Sequence, residues 1–212
     1  MNTLQLLEEK KGWARISKQP PVYTIILCII AAALNFGISY LTGFVLRIPL
    51  FLDTIFTITI LFYCGFFPAL FSTIIYSIPS SLSVNAPFYL LFNLCSLAIL
   101  LITYAIMKFH ERNDNNSSFL TLLYLILASL LSGFVSSVIG GFIHSLALIL
   151  FPNSIGEIVT EKFVLSLFSK NGSLILSAIL GRIPTTCLDR VISTLLGWEI
   201  YKLLLKLEKN HR

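Results

Sequence analysis

Residues 54–107 and 115–156 contain no formal charge. Soluble core helices rarely run past about 20 residues and keep charge on their wet face, so uncharged stretches this long need lipid around them. Hydrophobic residues fill 56% of the 212 positions and charged ones only 12%, roughly half the charged share of an ordinary soluble domain. The chain therefore reads as an all-α polytopic membrane protein. At about 20 residues per crossing there is room for six transmembrane helices joined by short loops. Residues 1–212 are expected to form a single membrane domain, with a cytoplasmic interfacial segment over 1–20 and a six-helix bundle over 22–205.

The polar N-terminal segment sets Leu4, Leu7, Trp13 and Ile16 among Lys10, Lys11, Arg15 and Lys18. This suits either a helix lying on an anionic membrane face or a flexible tail, and it does not resemble a cleaved signal peptide. The first span is expected over 22–46. The RIPLFLDT segment, 47–54, is interrupted by Pro49 and reads as a connection dipping near the surface. Spans two and three are expected over 55–66 and 69–78, divided at Gly65 and Pro68, followed by a polar loop over 79–87. Span four covers 88–107, a hydrophilic loop 108–118, and span five 119–151. Span five carries Ser129, Ser132, Gly133, Ser136, Ser137, Gly140 and Gly141, a ridge of small residues at helical spacing that predicts tight packing against another helix. Pro152 ends that span. Ser154-x-x-Glu157 has the form of a capping box, which would start a short interfacial helix running to Phe168. The last span follows over 173–205.

Orientation comes from Lys and Arg in the short flanks. With six spans and an inside N-terminus, one side receives Lys10, Lys11, Arg15, Lys18, Lys108, Arg112, Lys202, Lys206, Lys209 and Arg212, and the other only Arg47, Lys162 and Lys170. Both termini are thus expected in the cytoplasm, and the chain in the cell membrane.

The last span carries Arg182, Asp189 and Arg190. Each charge at a helix centre costs roughly 2.5–3.5 kcal/mol, while each aliphatic residue returns about 0.3–0.6. This helix therefore needs protein, water or ligand along its polar side. Positions seven apart share a face, so Arg182 and Asp189 align, with Thr185, Thr186 and Ser193 beside them. Asp189 with Arg190 is either an ion pair to a neighbouring helix or a ligand or gating contact. Arg182, close to Pro184, either snorkels to the interface where the helix starts or belongs to the stripe. Asp53 either caps the second helix or faces a pocket. Asn93 makes an interhelical hydrogen bond or a ligand contact, His144 is expected to be structural, and Arg47 an interface anchor.

Three segments, RIPLFLDTIFTI over 47–58, PFYLLFNLCSLAILL over 87–101 and ILSAILGRIPTTCLDRVISTLLGW over 175–198, resemble the S component of an energy-coupling-factor transporter, the membrane subunit that captures vitamins and other micronutrients. They are similar to that family's LP-FLDTIGT connection, its PF-L-N fourth helix, and the aspartate followed by a basic residue in its last helix. The resemblance implies capture of a small-molecule nutrient from the outer face, in a pocket to which Asp53, Asn85, Asn93, Asp189 and Arg190 would contribute. It also implies docking onto a coupling transmembrane protein, with two cytoplasmic ATPases supplying the power. The family docks through small residues four apart on its first helix, usually Ala-x-x-x-Ala. Here the nearest match is Ala33-x-x-x-Gly37, in which glycine replaces the second alanine.

No GxxxxGK[ST] phosphate loop, HExxH or comparable catalytic arrangement occurs in the sequence, so an enzyme is not expected. The cysteines Cys28, Cys64, Cys95 and Cys187 lie in apolar segments without paired spacing, which suggests neither disulfides nor zinc. No cofactor, metal or nucleic-acid partner is expected. A stand-alone secondary transporter, with Asp189 and Arg190 serving ion coupling, is the main alternative. A membrane sensor is a weaker one, since only a short basic tail follows the last span.

Overall fold

A computed structural model describes residues 20–83, 87–112, 117–150, 166–169 and 172–210. The N-terminal segment and Asn85 lie outside the described residues. Of the capped helix expected over 154–168, only 166–168 are described, and they are helical. Among the described residues the fold is entirely helical, in the order α1 (Pro21–Tyr40), α2 (Ile55–Cys64), α3 (Phe66–Ser83), α4 (Asn93–Arg112), α5 (Ser118–Leu150) and α6 (Leu174–Asn210). A π-helical turn, Leu41–Val45, extends α1, and a 3-10 helix, Pro87–Phe92, leads into α4. Pro21 sits at the N1/N2 position of α1, where the missing N–H costs nothing.

Three segments, Pro21–Gly43, Leu90–Arg112 and Ser118–Leu150, are long and apolar enough to cross a membrane. Their outward faces are those of lipid-exposed helices: Ile25, Ile26, Ile29, Ile30 and Leu34 on α1, and Leu123, Leu127, Leu131 and Phe134 on α5, are all exposed. Contiguous apolar surface on that scale is foreign to a protein bathed in water.

Consecutive helices run antiparallel. His110 near the end of α4 meets Thr121 near the start of α5 at 2.9 Å, and Tyr63 at the end of α2 reaches Glu208 near the end of α6 at 3.3 Å. Lys108, Arg112, Lys202, Lys206 and Lys209 therefore gather at one end of the bundle, hereafter the lysine-rich end. The ridge on α5 packs as its spacing predicts. Ser129, Ser132, Gly133, Ser136, Ser137, Gly140 and Gly141 are all buried, and α5 makes its most extensive contact with α6. A methyl built on Gly133 would lie 2.9 Å from the Cys187 Cα, and one on Gly141 2.6 Å from Ile179 Cγ1. Only glycine permits that approach.

Several expected boundaries move. Helix α3 starts at Phe66 and passes through Pro79 to Ser83, so the loop expected from 79 begins later. Pro68 falls in the first turn of α3, where a proline is tolerated, rather than dividing two helices. The hydrophilic segment from Lys108 to Arg112 continues α4, its His110 ring stacked on Tyr124 with centroids 4.6 Å apart. Helix α6 begins at Leu174 and runs through Pro184, so Arg182 lies well inside it rather than at its start.

The short second helix has a physical reason. Nine of its ten residues are buried, Phe56 being the exception, and it packs against α1, α3, α4 and α6. A helix apolar all round belongs inside a bundle. Ten residues rise only about 15 Å, half of a bilayer core of about 30 Å.

Candidate functional site: a clamped break between α1 and α2

Irregular backbone at membrane depth survives only where the protein satisfies its polar groups. Residues 46–54 show how this is done. The Leu46 and Ile48 N–H groups donate to the Leu41 and Thr42 carbonyls at 2.8 and 2.9 Å, and the Thr42 hydroxyl lies 3.2 Å from the Phe51 carbonyl. Leu52 N–H donates to Asp189 Oδ1 at 2.7 Å. Just inside α2, Phe56 N–H donates to Asn35 Oδ1 at 3.0 Å, while Asn35 Nδ2 donates to Thr57 Oγ1 at 2.8 Å. A side chain from α1 and one from α6 thus supply partners that the irregular backbone does not find within itself.

Arg190 closes the clamp. Its Nη2 contacts Asp53 Oδ1 at 2.9 Å and Asp189 Oδ2 at 2.5 Å, and its Nη1 donates to Thr54 Oγ1. Asp189 and Arg190 are adjacent in sequence, yet both are buried, because one reaches Leu52 and the other the two residues that follow it. The Asp189 side chain is 2% exposed and that of Asp53 22%, so the α6 carboxylate bears the greater desolvation. Of the two readings of Asp53, a cap on α2 or a group facing a pocket, the cap is not what the fold shows. Thr54 occupies the N-cap position without a side-chain cap hydrogen bond, and the Asp53 carboxylate turns to Arg190. The ion pair to a neighbouring element, one of two readings of Asp189 and Arg190, is present in the fold, and it ties α6 to a connection rather than to a helix.

Two residues of this connection, Arg47 (φ 52°) and Leu52 (φ 49°), adopt left-handed backbone. Side chains other than Gly, Asn and Asp rarely do so, at a cost of roughly 1–2 kcal/mol each. At Leu52 the conformation is held by the carboxylate on its own N–H and by the guanidinium on the next two residues. Strain that is over-determined by its surroundings is a mark of functional backbone.

The clamp sits well away from the charged end of α6. The first exposed charges below it are Glu199 and Lys202, paired at 2.6 Å. Asp189 is ten residues above Glu199, about 15 Å along the axis. Trp198 and Tyr201 do not form a lipid-facing belt. Their rings lie 5.1 and 5.9 Å from the Phe62 ring of α2, and Tyr201 is buried.

Two turns above Asp189, Arg182 is half-buried rather than snorkelling outward. Its guanidinium stands 5.2 Å from the Phe92 ring centroid. A methyl built on Gly140 would lie 3.0 Å from Arg182 Nη1, 3.5 Å from Cys95 Sγ and 3.6 Å from Phe92 Cε1. A cation, a thiol and an aromatic ring therefore converge beside one glycine of α5. Asn93, at the first residue of α4, is half-buried between Phe92 and Cys95 in sequence. His144 is buried one turn along α5.

Of the residues nominated from sequence, Asp53, Asp189 and Arg190 come together and Asn93 borders the upper cluster. Ala33 and Gly37 stand apart on an exposed stretch of α1, and nothing lies within 4 Å of a methyl built on Gly37. Sequence reasoning missed Asn35, although an amide among the aliphatics of the first span is a signal of its own. It also missed Thr54 and Leu52, whose roles depend on a fold of the chain that no spacing reveals. Comparison with family models, with curated proteins and with solved structures returned no match.

Proposed function

We propose that this chain is the substrate-capturing S component of an energy-coupling-factor type importer, a single six-span membrane domain in the cell membrane with both termini cytoplasmic. One observation carries the reading: an irregular connection between α1 and α2, clamped to α6, whose backbone is held by Asp189, Arg190 and Asn35. Small transport proteins build substrate sites where non-helical backbone is held by side chains of the surrounding helices. Ionisable residues kept inside a membrane mark such sites by default. The lysine-rich end supports the orientation, since basic flanks stay in the cytoplasm. In that orientation the 3-10 helix and the Arg182 cluster would face the outer half, where a nutrient would enter. Docking to a coupling protein would use the open face of α1 that carries Ala33 and Gly37.

The test is reconstitution. The isolated protein is expected to bind its nutrient and to move none of it across a vesicle membrane. Uptake is expected only after addition of the coupling protein and two ATPases that co-purify with it from its own host. Transport by the chain alone, driven by an ion gradient, would instead establish the secondary-transporter reading, which the buried Asp189–Arg190 pair also favours. Within the first reading, Asp189→Asn and Asp53→Asn are expected to weaken nutrient binding. Unchanged affinity in both variants removes the clamp from the binding site.

A further inference from the structure

Helix α6 has 37 residues, about 55 Å of axial rise. That exceeds a hydrocarbon core of about 30 Å, so the helix continues past the lipid tails into a headgroup layer. Its last turns divide into three faces. Tyr201 and Glu208 face α2, where the Tyr201 ring lies 5.9 Å from that of Phe62 and Glu208 accepts from the Tyr63 hydroxyl at 3.3 Å. On the side turned away from α2, Leu196, Leu203 and Leu207 form an apolar stripe, 44%, 59% and 57% exposed. Beside it Lys202, Lys206 and Lys209 form a basic stripe, all three exposed. The lysines are not equivalent. Lys202 pairs with Glu199 at 2.6 Å. Lys206 and Lys209 meet no carboxylate at ion-pair distance among the described residues, and Glu208, which lies between them in sequence, is turned to Tyr63.

The two stripes together select what covers this face. Leucines this exposed call for apolar cover, and ammonium groups at the same height on the helix call for anions. A phospholipid supplies both in one molecule: acyl chains against the leucines, and a headgroup phosphate for lysine side chains that snorkel outward along the helix. Two ammonium groups without a carboxylate favour a headgroup of net negative charge over a zwitterionic one. We infer that the outer face of α6 over residues 196–209 is a docking site for an anionic phospholipid. Lys206 and Lys209 take the headgroup, and Leu203 and Leu207 the acyl chains. The site does not depend on what the protein transports, so its failure leaves the importer reading standing.

The test reads lipid occupancy at this face. The full chain carrying Leu203→Trp is reconstituted in mixed vesicles of phosphatidylcholine and phosphatidylglycerol, with dibrominated acyl chains on one lipid or on the other. Quenching of the added fluorescence, taken relative to the chain without the substitution, gives the relative occupancy by the two lipids. At low salt, phosphatidylglycerol is expected to be preferred by about fivefold or more, the selectivity of one lysine near an anionic surface. High salt is expected to reduce the preference, because the contact is open to counter-ions. In the Leu203→Trp background, Lys206→Gln with Lys209→Gln is expected to bring the preference to parity, and Lys206→Arg with Lys209→Arg to keep it. Leu131→Trp, on the lipid-exposed face of α5, samples the bilayer away from the lysines and is expected to show no preference. Equal quenching by the two lipids at Leu203→Trp, a preference that survives removal of both lysines, or one equally large at Leu131→Trp would each overturn the inference. Absence of quenching by either lipid would give the face to water or to a protein partner and overturn it too.

Discussion

Arg190→Met is the most informative single change in the clamp. It leaves Asp189 with a side chain 2% exposed, backbone N–H donors such as that of Leu52, and no cation in contact. It also leaves Asp53 without its contact to Arg190, at 22% side-chain exposure. Removing one member of a buried ion pair costs about 3–5 kcal/mol. The Asp53 share is small, about 0–1 kcal/mol, because that carboxylate retains access to solvent, so Asp189 accounts for most of the loss. Adding Asp189→Asn to Arg190→Met changes the accounting. The amide oxygen still accepts from Leu52 N–H and no charge is left buried, which leaves a cost of about 1–2 kcal/mol for a weaker bond and an amide N–H in search of a partner. The double variant is therefore expected to be more stable than Arg190→Met alone by at least about 1 kcal/mol, a coupling typical of directly contacting groups. Denaturant unfolding in detergent micelles, followed by near-UV circular dichroism, measures the difference. A double variant as unstable as the single one, or more so, would refute the claim that Asp189 and Arg190 act as one buried unit.

Gly197→Ala would place a methyl 2.8 Å from the Ile55 carbonyl oxygen and 3.0 Å from Ile58 Cγ2, and the overpacking is expected to cost about 1–3 kcal/mol in the same unfolding assay. Gly37→Ala meets open space and should not destabilise the chain; if α1 docks to a coupling protein through this face, nutrient uptake falls while nutrient binding by the isolated protein is unchanged. Asn35→Leu removes the acceptor of Phe56 N–H and the donor to Thr57, with an expected loss of about 1–3 kcal/mol and faster hydrogen exchange at the Phe56 amide. Arg47→Gly relieves a left-handed backbone at an exposed position, and thermal unfolding should show a change between neutral and about 1 kcal/mol of stabilisation, because relief of strain is offset by the flexibility glycine gains when unfolded.

What could be read in the sequence was whatever repeats with the helix. The α5 ridge announced its burial through spacing alone, because small residues at helical intervals have one use in lipid, close approach. Asp53, Asp189 and Arg190 announced themselves by cost, since a charge among aliphatics has to be compensated. What compensates them was not legible. Partners 137 residues apart, such as Leu52 and Asp189, depend on how a ten-residue helix sits inside the bundle, and local pattern carries no information about that. The same limit explains Arg182. Pro184 suggested a helix start, but α6 continues past it, and an arginine expected at the interface lies instead against Phe92. Helix ends fall later than a proline or a charged run predicts, since Pro79 and the segment from Lys108 to Arg112 both lie inside helices.

Stability alone does not account for a buried charged clamp. Replacing a buried ion pair by well-packed apolar side chains is often neutral or stabilising, and three such residues in place of Asp53, Asp189 and Arg190 would hold α6 against the connection at least as firmly. An apolar contact has no direction, however, and the connection needs direction at two places. Leu52 N–H takes its acceptor from α6, and its left-handed φ has to be held against its own preference. Asp189 supplies the acceptor, and Arg190 fixes the next two residues through Asp53 and Thr54. An Asp189→Leu, Arg190→Met variant is thus expected to keep the bundle folded and to lose the conformation of residues 47–54. The signature is rapid hydrogen exchange at the Leu52 amide with protection in α5 retained. Protection at Leu52 equal to that of the unmodified chain would mean that the connection holds its shape without the charges, and that their role lies elsewhere.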